Sequence, residues 1–323
     1  METIKNRSEL LFLYDVKDNN PNGDPLDGNK PRIDEETGIN IVTDVRLKRT
    51  IRDYLKDFKD KEIFVREIAD DEGKIQDAKM RASDFLKDTE NLADKDFHEQ
   101  KEIIQKKILE ECIDVKLFGA TIPLDLKVVK KNVTGSITLT GPVQFRMGRS
   151  LHKVELKYIK GTGAFASSSG KTQKAFREEY ILPYSLIAFY GVINENAAKD
   201  THLNEDDVNL LLDGMWNGTK NLISRSKAGH EPRLLLKIEY NENNYHIGDL
   251  DKMVKIESKK RDEEIRDVSE VKLNFNELLN ALEKVESSVK QIEYKLSERV
   301  NTDLIEKLKE IFGDEKVSEI SWN

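Results

Sequence analysis

The run Tyr180–Ile193, YILPYSLIAFYGVI, carries no charged side chain and constrains the fold more than any other stretch of the chain. Aromatic and β-branched residues dominate it, and these favour extended backbone. It falls short of the roughly 18 apolar residues that cross a bilayer, so it reads as a central strand. The other elements are placed around it. SELLFLYDV (Ser8–Val16) predicts a first strand, closed by the turn-rich DNNPNGDPLDGNKPRIDEETG. Thr43 and Asp44 offer caps for a helix, VRLKRTIRDYLKDF, whose Leu47, Ile51, Tyr54, Leu55 and Phe58 recur on one face. A charged, mostly helical stretch runs to about Leu117, and VTGSITLTGPVQF is strand-like with a bend at Gly141-Pro142. NEDDVNLLLDGMW predicts a helix with early acids and apolar Val208, Leu211, Leu212 and Met215, and RLLLKIEY predicts a strand. Phe275, Leu278, Leu279, Leu282, Val285, Val289, Ile292 and Leu296 predict a stripe on one long C-terminal helix, in a region, 241–323, expected to be charged and mainly helical.

With two insertions set aside, the order is strand, helix, strand, strand, helix, strand. That predicts an α+β chain of the ferredoxin-like βαββαβ class, the RNA-recognition type of fold, over residues 1–240. One insertion, about 59–130, follows the first helix. The other, about 147–178, stands where a plain fold has a short hairpin turn. Fold class does not fix function. The aromatic signature of an ordinary RNA-recognition motif is absent, so sequence-specific base stacking on the sheet is not expected.

The formal net charge of −8 argues against a nucleic-acid partner until its distribution is read. Eight Lys/Arg (146, 149, 153, 157, 160, 171, 174, 177) stand against Glu155 alone between Arg146 and Arg177, a local +7. Residues 57–111 hold seventeen acids and eleven bases, and residues 241–323 hold twenty and fourteen, so each is −6. Base concentrated mid-chain suits a polyanion groove. Three places fit phosphate. In TDVRLKRTIR the apolar stripe faces the core, which leaves Arg46, Lys48 and Arg49 on the remaining surface beside a helix N-terminus. The +7 segment has a pliable tip with Gly161, Gly163, Gly170 and three serines, where Phe165 is either a packing anchor or a wedge against bases. In GTKNLISRSKAGHEPR, Arg225, Ser226 and Lys227 put a fork-shaped donor, a hydroxyl and a point charge together.

Other signals lead nowhere. DNNPNGDPLDGN approximates a calcium loop, with Asp18, Asn20, Asn22 and Gly23 in place, but Asn29 stands where a bidentate glutamate belongs. FASSSGKT has Phe165 where a phosphate-binding loop needs its first glycine. The five histidines are scattered, and with the single Cys112 they predict no metal site and no cofactor. Cys112 itself lies in a helical pattern and is expected as a small buried residue. Asp15, Asp18, Asp24, Asp27 and Asp34 cluster near the first turn, where an aspartate could serve a ribonuclease, although Asp beside Asn, Gly and Pro makes turns without further function. METIKNRSELLFLY has no signal-peptide layout, and a reducing cytoplasm is the expected compartment.

The same stretches resemble a known family. NPNGDP (Asn20 to Pro25), PRID (Pro31 to Asp34), Thr37-Gly38 and VTDVRLKRTIRDYL (Val42 to Leu55) are similar to the CRISPR-associated backbone subunits of type I Cascade, in the RAMP superfamily. LFGA (Leu117 to Ala120), GPVQF with Gly148-Arg149-Ser150, REEYILPYSLIAFYGVIN and SRSKAG-EPRLL extend the likeness over about residues 8–240, closest to type I-B and then I-C. The resemblance implies an RNA-recognition-like palm, helical fingers at 59–130 and a thumb hairpin at 147–178 that folds over RNA. Copies stack along one crRNA, and the guide pairs with target DNA. Partners are then crRNA, target DNA, further copies of the chain, and the repeat-processing, handle-binding, large and small Cascade subunits. No catalysis is implied, because a separate helicase-nuclease degrades the DNA; an endoribonuclease using a loop aspartate is the alternative. The candidate RNA-binding set is Asn20, Asn22, Arg46, Lys48, Arg49, Arg146, Arg149, Ser150, Phe165, Lys171, Lys174, Arg225, Ser226 and Lys227.

Overall fold

The computed structural model describes residues 2–69, 73–87, 89–90, 95–128, 131–162, 176–241 and 244–322. Strand β1 (Ser8–Asn19) sends Leu10, Phe12, Tyr14 and Val16 to one face of the central sheet and Leu11 and Leu13 to the other. A short ribbon, β2 (Gly23–Asp24) with β3 (Lys30–Pro31), and the strand β4 (Ile39–Val42) lead to helix α1 (Asp44–Lys59). Thr43 caps this helix, its hydroxyl accepting the Arg46 N–H at 3.3 Å.

A second unit follows, with its own core. Helices α2 (Ala78–Asp84), α3 (Phe97–Glu111) and α4 (Ile113–Phe118) precede a hairpin of β5 (Gly119–Val128) and β6 (Lys131–Thr140). Ala82, Ile104 and Ile108 pack on Ile122, Leu124, Leu126 and Ile137. Cys112 is buried here, as expected, and burial pushes its thiol pKa up. The expected helical character ends at α4. Strand β5 falls inside the same insertion, and its buried residues recur at every second position, the period of a strand.

At Gly141-Pro142 the chain bends back into the central sheet. It continues as β7 (Val143–Phe145), β8 (Gly148–Lys153), β9 (Lys157–Thr162) and the long β10 (Phe176–Ile193). Helices α5 (Glu195–Thr201) and α6 (Glu205–Lys220) then lead to β11 (Glu231–Tyr240). The remainder is β12 (Lys255–Glu257), β13 (Lys272–Asn274), α7 (Asn276–Glu283), β14 (Val289–Leu296), α8 (Leu304–Phe312) and β15 (Val317–Glu319). The sheet runs β15-β14-β11-β1-β10-β8-β4, and β7 and β9 also pair with β10. Strand β1 is antiparallel to both neighbours, β10 and β11. The fold is α+β, with a mixed sheet at its centre. None of its described helices is long and apolar enough to cross a membrane.

The single long C-terminal helix expected from the 275–296 stripe is not formed. Helix stops at Glu283, and Val289, Ile292 and Leu296 lie in β14. The backbone edge of β11 decides this. Its open N–H and C=O groups take β14 antiparallel from Leu234–Leu296 to Tyr240–Val289, satisfying donors that a helix would have left bare.

Both faces of the sheet are covered. On one, α1 and α6 pack with Ile51, Leu55, Leu211 and Met215 against Leu10, Phe12 and Phe189. Gly214 and Gly218 let these helices approach closely: a Cβ at Gly214 would meet Ile51 Cγ2 at 2.9 Å. On the other, Leu250, Val268, Leu273, Phe275, Leu278 and Leu304 cover Leu11, Leu13, Leu186, Leu236 and Ile238. Glu9 pins this second layer. Its fully buried carboxylate accepts the Tyr190 hydroxyl at 2.5 Å, the Tyr240 hydroxyl, and the N–H groups of Ile247 (2.9 Å) and Gly248 (2.7 Å). Each buried donor stripped of a partner costs about 1–3 kcal/mol. Glu9→Ala is therefore expected to lower unfolding stability by about 3 kcal/mol or more, read as a drop in the denaturant midpoint. A loss below about 1 kcal/mol would show that the carboxylate does not hold the layer.

Candidate nucleic-acid interface

Towards the end of β1 its pairing with β10 and with β11 begins: Asn19 pairs with Leu182, and Asp15 with Glu231. The loops joining these strands to α1 and α6 therefore converge at one end of the sheet. Asn22 Oδ1 accepts both the N–H and the hydroxyl of Thr43 at 2.9 Å, which ties the loop after β1 to the cap of α1. Asn19 Nδ2 donates to the Ala228 carbonyl at 2.6 Å, which ties the same loop to residues 221–230. The Lys227 ammonium donates to the Asn20 carbonyl.

Cations dominate this junction, although the Asp53 carboxylate also acts on Arg46, raising its pKa. Arg46 donates to Thr50 Oγ1 at 3.0 Å, and burial lowers its pKa. Burial first, and then the neighbouring Arg46, bring Lys227 down to about 8. His230 is buried, and burial followed by Lys227 and Arg46 holds it near 3, so the ring is neutral at pH 7. Among the described residues, neither Arg46 nor Lys227 is ion-paired with a carboxylate. Tyr14 stacks between Phe189 and His230, with centroids 6.1 and 5.8 Å away, and forms the apolar floor. Asn20 Oδ1 and His230 Nε2 are buried, with no hydrogen-bond partner among the described residues. An unpaired buried acceptor costs roughly 1–3 kcal/mol, so the folded chain carries these groups at a loss.

Two grooves flank the 221–229 loop. One, of about 390 Å³, is lined by Arg46, Arg49, Thr50, Phe58, Ile223 and Ser224. The other, of about 540 Å³, is lined by Asn20, Asn29, Glu179, Tyr180, Arg225 and Ser226. The structure thus brings together Asn20, Arg46, Arg49, Arg225, Ser226 and Lys227. It sets the others apart. Lys48 turns to Asp44 (3.2 Å) and Gln144 (3.4 Å). Arg146 pairs with Asp249 over the Tyr190 ring. Arg149 faces Asp34 at 3.6 Å. Ser150 is buried, accepting the Asn40 N–H at 2.9 Å and donating to the His152 carbonyl at 2.7 Å. Phe165, Lys171 and Lys174, with most of the +7 segment's tip, lie outside the described residues. Arg225 and Arg49 also hold acids, Glu179 at 2.6 Å and Asp53 at 2.7 Å, but both remain more than half exposed.

Sequence reasoning missed Tyr14, Asn19, Tyr180 and His230. All four lie inside stretches singled out for other reasons, and the burial of His230 has no local sequence signal. Four of the five loop aspartates are committed elsewhere, whereas Asp18 lines the larger groove. Asp15 is buried against Arg233 (2.9 Å) and accepts the Tyr184 hydroxyl at 3.0 Å. Asp24 pairs with Arg32, and Asp27 with Lys30 at 2.7 Å. Asp34 accepts the N–H groups of Glu36 and Thr37 at 3.2 and 3.3 Å. Among the described residues, no group of three or more His, Cys, Asp or Glu side chains is arranged to hold a metal ion.

Four similarities bear on the chain. The profile of the family "CRISPR-associated protein Cas7" matches residues 6–276. A protein of that description from Haloferax volcanii is 35% identical over 295 residues, covering 88% of this chain and 84% of the relative. Two solved structures share the fold. A chain of a "CRISPR RNA-guided surveillance complex, pre-nicking" has TM-score 0.53 and 11% identity, with 92% of this chain and 95% of that one aligned. A chain of a "CRISPR RNA-guided surveillance complex" has TM-score 0.50 and 13% identity, with 90% and 89% aligned.

The desolvated ammonium predicts a pH dependence. Lys227 holds its proton to about pH 8 when folded and to about its ordinary 10.5 when unfolded. Between those values the unfolded chain binds more protons, so stability from this group rises with pH. The melting temperature of the wild type relative to Lys227→Met is expected to climb as pH goes from 8 to 10.5. A difference that stays flat across that window would mean that the ammonium is well solvated.

Proposed function

The chain belongs to the CRISPR-associated Cas7 family, and from that membership we propose that it coats a guide RNA as a repeated backbone subunit of a type I CRISPR Cascade complex, closest to type I-B. Successive copies lie along the crRNA and present it for pairing with target DNA, alongside the other Cascade subunits. One observation carries the proposal at the level of residues. Arg46 and Lys227 are two largely desolvated cations at one end of the sheet, without a carboxylate of their own among the described residues. A phosphate supplies the missing anion, and Arg49 and Arg225 stand at the rim to follow the next ones.

The strand order β11-β1-β10-β7, antiparallel throughout, supports reading the palm as ferredoxin-like, with 59–130 as fingers and 147–178 as thumb. The second sheet face is filled by residues 250–312, so bases have no open sheet to stack on. Contact through phosphate and sugar carries no sequence code, which suits a protein that must hold any guide. The guide itself then reads the target by base pairing. Four of the five aspartates that a ribonuclease reading would use, Asp15, Asp24, Asp27 and Asp34, are spent on ion pairs and turns, and this favours a binding role over a catalytic one.

RNAs of increasing length, saturated with the full chain, are expected to give complexes whose mass rises in whole-protein steps. The RNA is protected and no new ends appear. Log affinity should fall with log salt at roughly −0.7 per phosphate engaged, or near −3 for about four contacts. RNAs of scrambled sequence should bind within a few-fold of one another. Replacing Arg46 and Lys227 together by Met is expected to weaken binding roughly a hundredfold or more, at about 1.5–3 kcal/mol per charged hydrogen bond. Lys48→Met, already paired to Asp44, should stay within about threefold of wild type. A single copy at every RNA length, or affinity indifferent to salt, would sink the proposal.

A further inference from the structure

We propose that Asn19 is a positioning residue for the RNA site: its uncharged amide tethers the 221–230 loop, so that Arg225 and Lys227 keep their places while phosphate engages them. The inference rests on the RNA-coating reading above and names a residue through which that site is held.

The regular pairing of β1 gives out beside Asn19. Lys17 pairs with Tyr184, and Asn19 with Leu182. Pro183, between those two partners, has no N–H to donate. Asp18, between Lys17 and Asn19, takes φ +50, in the left-handed region that residues other than glycine seldom enter. Backbone held in that region persists where neighbouring contacts fix it, and such positions gather at ligand sites. From there a side chain takes over from the ladder. Asn19 Nδ2 donates to the Ala228 carbonyl at 2.6 Å. A carbonyl only accepts, so the nitrogen of the amide, and not its oxygen, faces Ala228.

The loop that Asn19 holds is braced from within. The Ser224 carbonyl accepts the N–H groups of Lys227 at 2.9 Å and Ala228 at 2.8 Å, and the Lys227 carbonyl accepts that of His230 at 3.2 Å. What ties such a turn to the sheet therefore decides where its cations point. Among the described residues, three side-chain hydrogen bonds join it to residues 19–20 and to β10. Arg225 donates to Glu179 at 2.6 Å, Lys227 donates to the Asn20 carbonyl, and Asn19 donates to Ala228. The first two use the cations that the RNA would engage, so a phosphate competes with Glu179 and with the Asn20 carbonyl for them. The third joins an uncharged donor to an uncharged acceptor, and no cation has to leave for RNA to bind. It anchors the residue next to Lys227 and three beyond Arg225. Arg225 and Ser226 line the larger groove, as Asn19 itself does.

The test measures the affinity of one single-stranded RNA for the full chain across a salt series. Wild type, Asn19→Ala, Arg225→Ala with Lys227→Met, and the triple variant are compared, each checked for folding by thermal melting. Asn19→Ala is expected to bind roughly fivefold more weakly than wild type, about the worth of one hydrogen bond. Its salt slope should flatten by about 0.7 for each phosphate contact released. With Arg225 and Lys227 already replaced, nothing is left to position, so adding Asn19→Ala should weaken binding by less than about twofold. A lower melting temperature with an unchanged salt slope would mean that Asn19 serves stability alone, and it overturns the proposal. A fivefold loss that persists without the two cations does the same, since it would make Asn19 an RNA contact in its own right. A folded Asn19→Ala chain with wild-type affinity also overturns it. Should Asn19→Ala fail to fold, Asn19→Thr carries the same comparison, because a branched side chain suits a strand end and its hydroxyl is one bond shorter than the amide. If that variant fails too, Asn19 belongs to the fold rather than to the RNA site, and the proposal falls. Each of these results leaves the coating role standing, because wild type still binds; a wild type that binds no RNA removes both.

Discussion

Everything in this chain is organised by the two-sided burial of β1. It is hydrogen-bonded along both edges, to β10 and to β11, and its side chains are buried on both faces through Val16. A strand in that position needs two apolar layers. The α1–α6 pair supplies one, and the C-terminal residues supply the other. The second layer also carries the sheet outward by pairing β14 with β11 and β15 with β14. Once both faces are filled, a large ligand can reach the sheet only at its ends and edges. The junction of Asn20, Arg46 and Lys227 lies at such an end, and its geometry follows from where β1, β10 and β11 stop and start.

That junction is held against its own electrostatics. Burial pulls down the pKa of Arg46, Lys227 and His230 alike, because each charged form is desolvated, and Lys227 and His230 also feel a neighbouring cation. Elsewhere the chain answers charge with charge. Arg7 meets Glu195 at 2.9 Å, Arg52 meets Asp114 at 3.0 Å and Lys237 meets Glu293 at 2.7 Å, all with the cation largely buried. A fold that pairs its other buried cations so consistently, and leaves these two without a carboxylate among the described residues, stores unfavourable energy where an anion would release it.

Much of the framework was legible in the sequence. The apolar spacing of Leu47, Ile51, Tyr54 and Leu55 placed α1, and the uncharged run before Asn194 placed the sheet-embedded half of β10. What failed did so for tertiary reasons. Val289, Ile292 and Leu296 continue a helical spacing only by coincidence of register, and the free edge of β11 captured them. Strand β5 was legible after all, in the alternation of Ile122, Leu124 and Leu126, but charged surroundings masked it. For the site the limit is sharper. Arg46, Lys48, Arg146 and Arg149 look alike in sequence, each a cation in a plausible motif. Asp249 and Asp34, far away along the chain, answer Arg146 and Arg149, and Asp44 answers Lys48 one helical turn back, whereas Arg46 is left with a hydroxyl. Which cation remains available is decided by contacts across the fold, and no local pattern encodes them.

The closed sheet also fixes what kind of recognition remains possible. An open sheet with exposed aromatics engages bases through their faces, and that ties affinity to the bases presented. Here Tyr14 is used as a floor, stacked between Phe189 and His230, and Tyr184 and Tyr190 donate to buried carboxylates. The aromatic residues of β1 and the sheet-embedded half of β10 are therefore committed to the protein's own core. What the junction offers outward is the exposed Arg49 and Arg225, with Ser226 lining the larger groove, which suit phosphate and sugar. A strand held by those groups keeps the pairing edges of its bases free of the protein, and a guide has to keep them so to pair with its target.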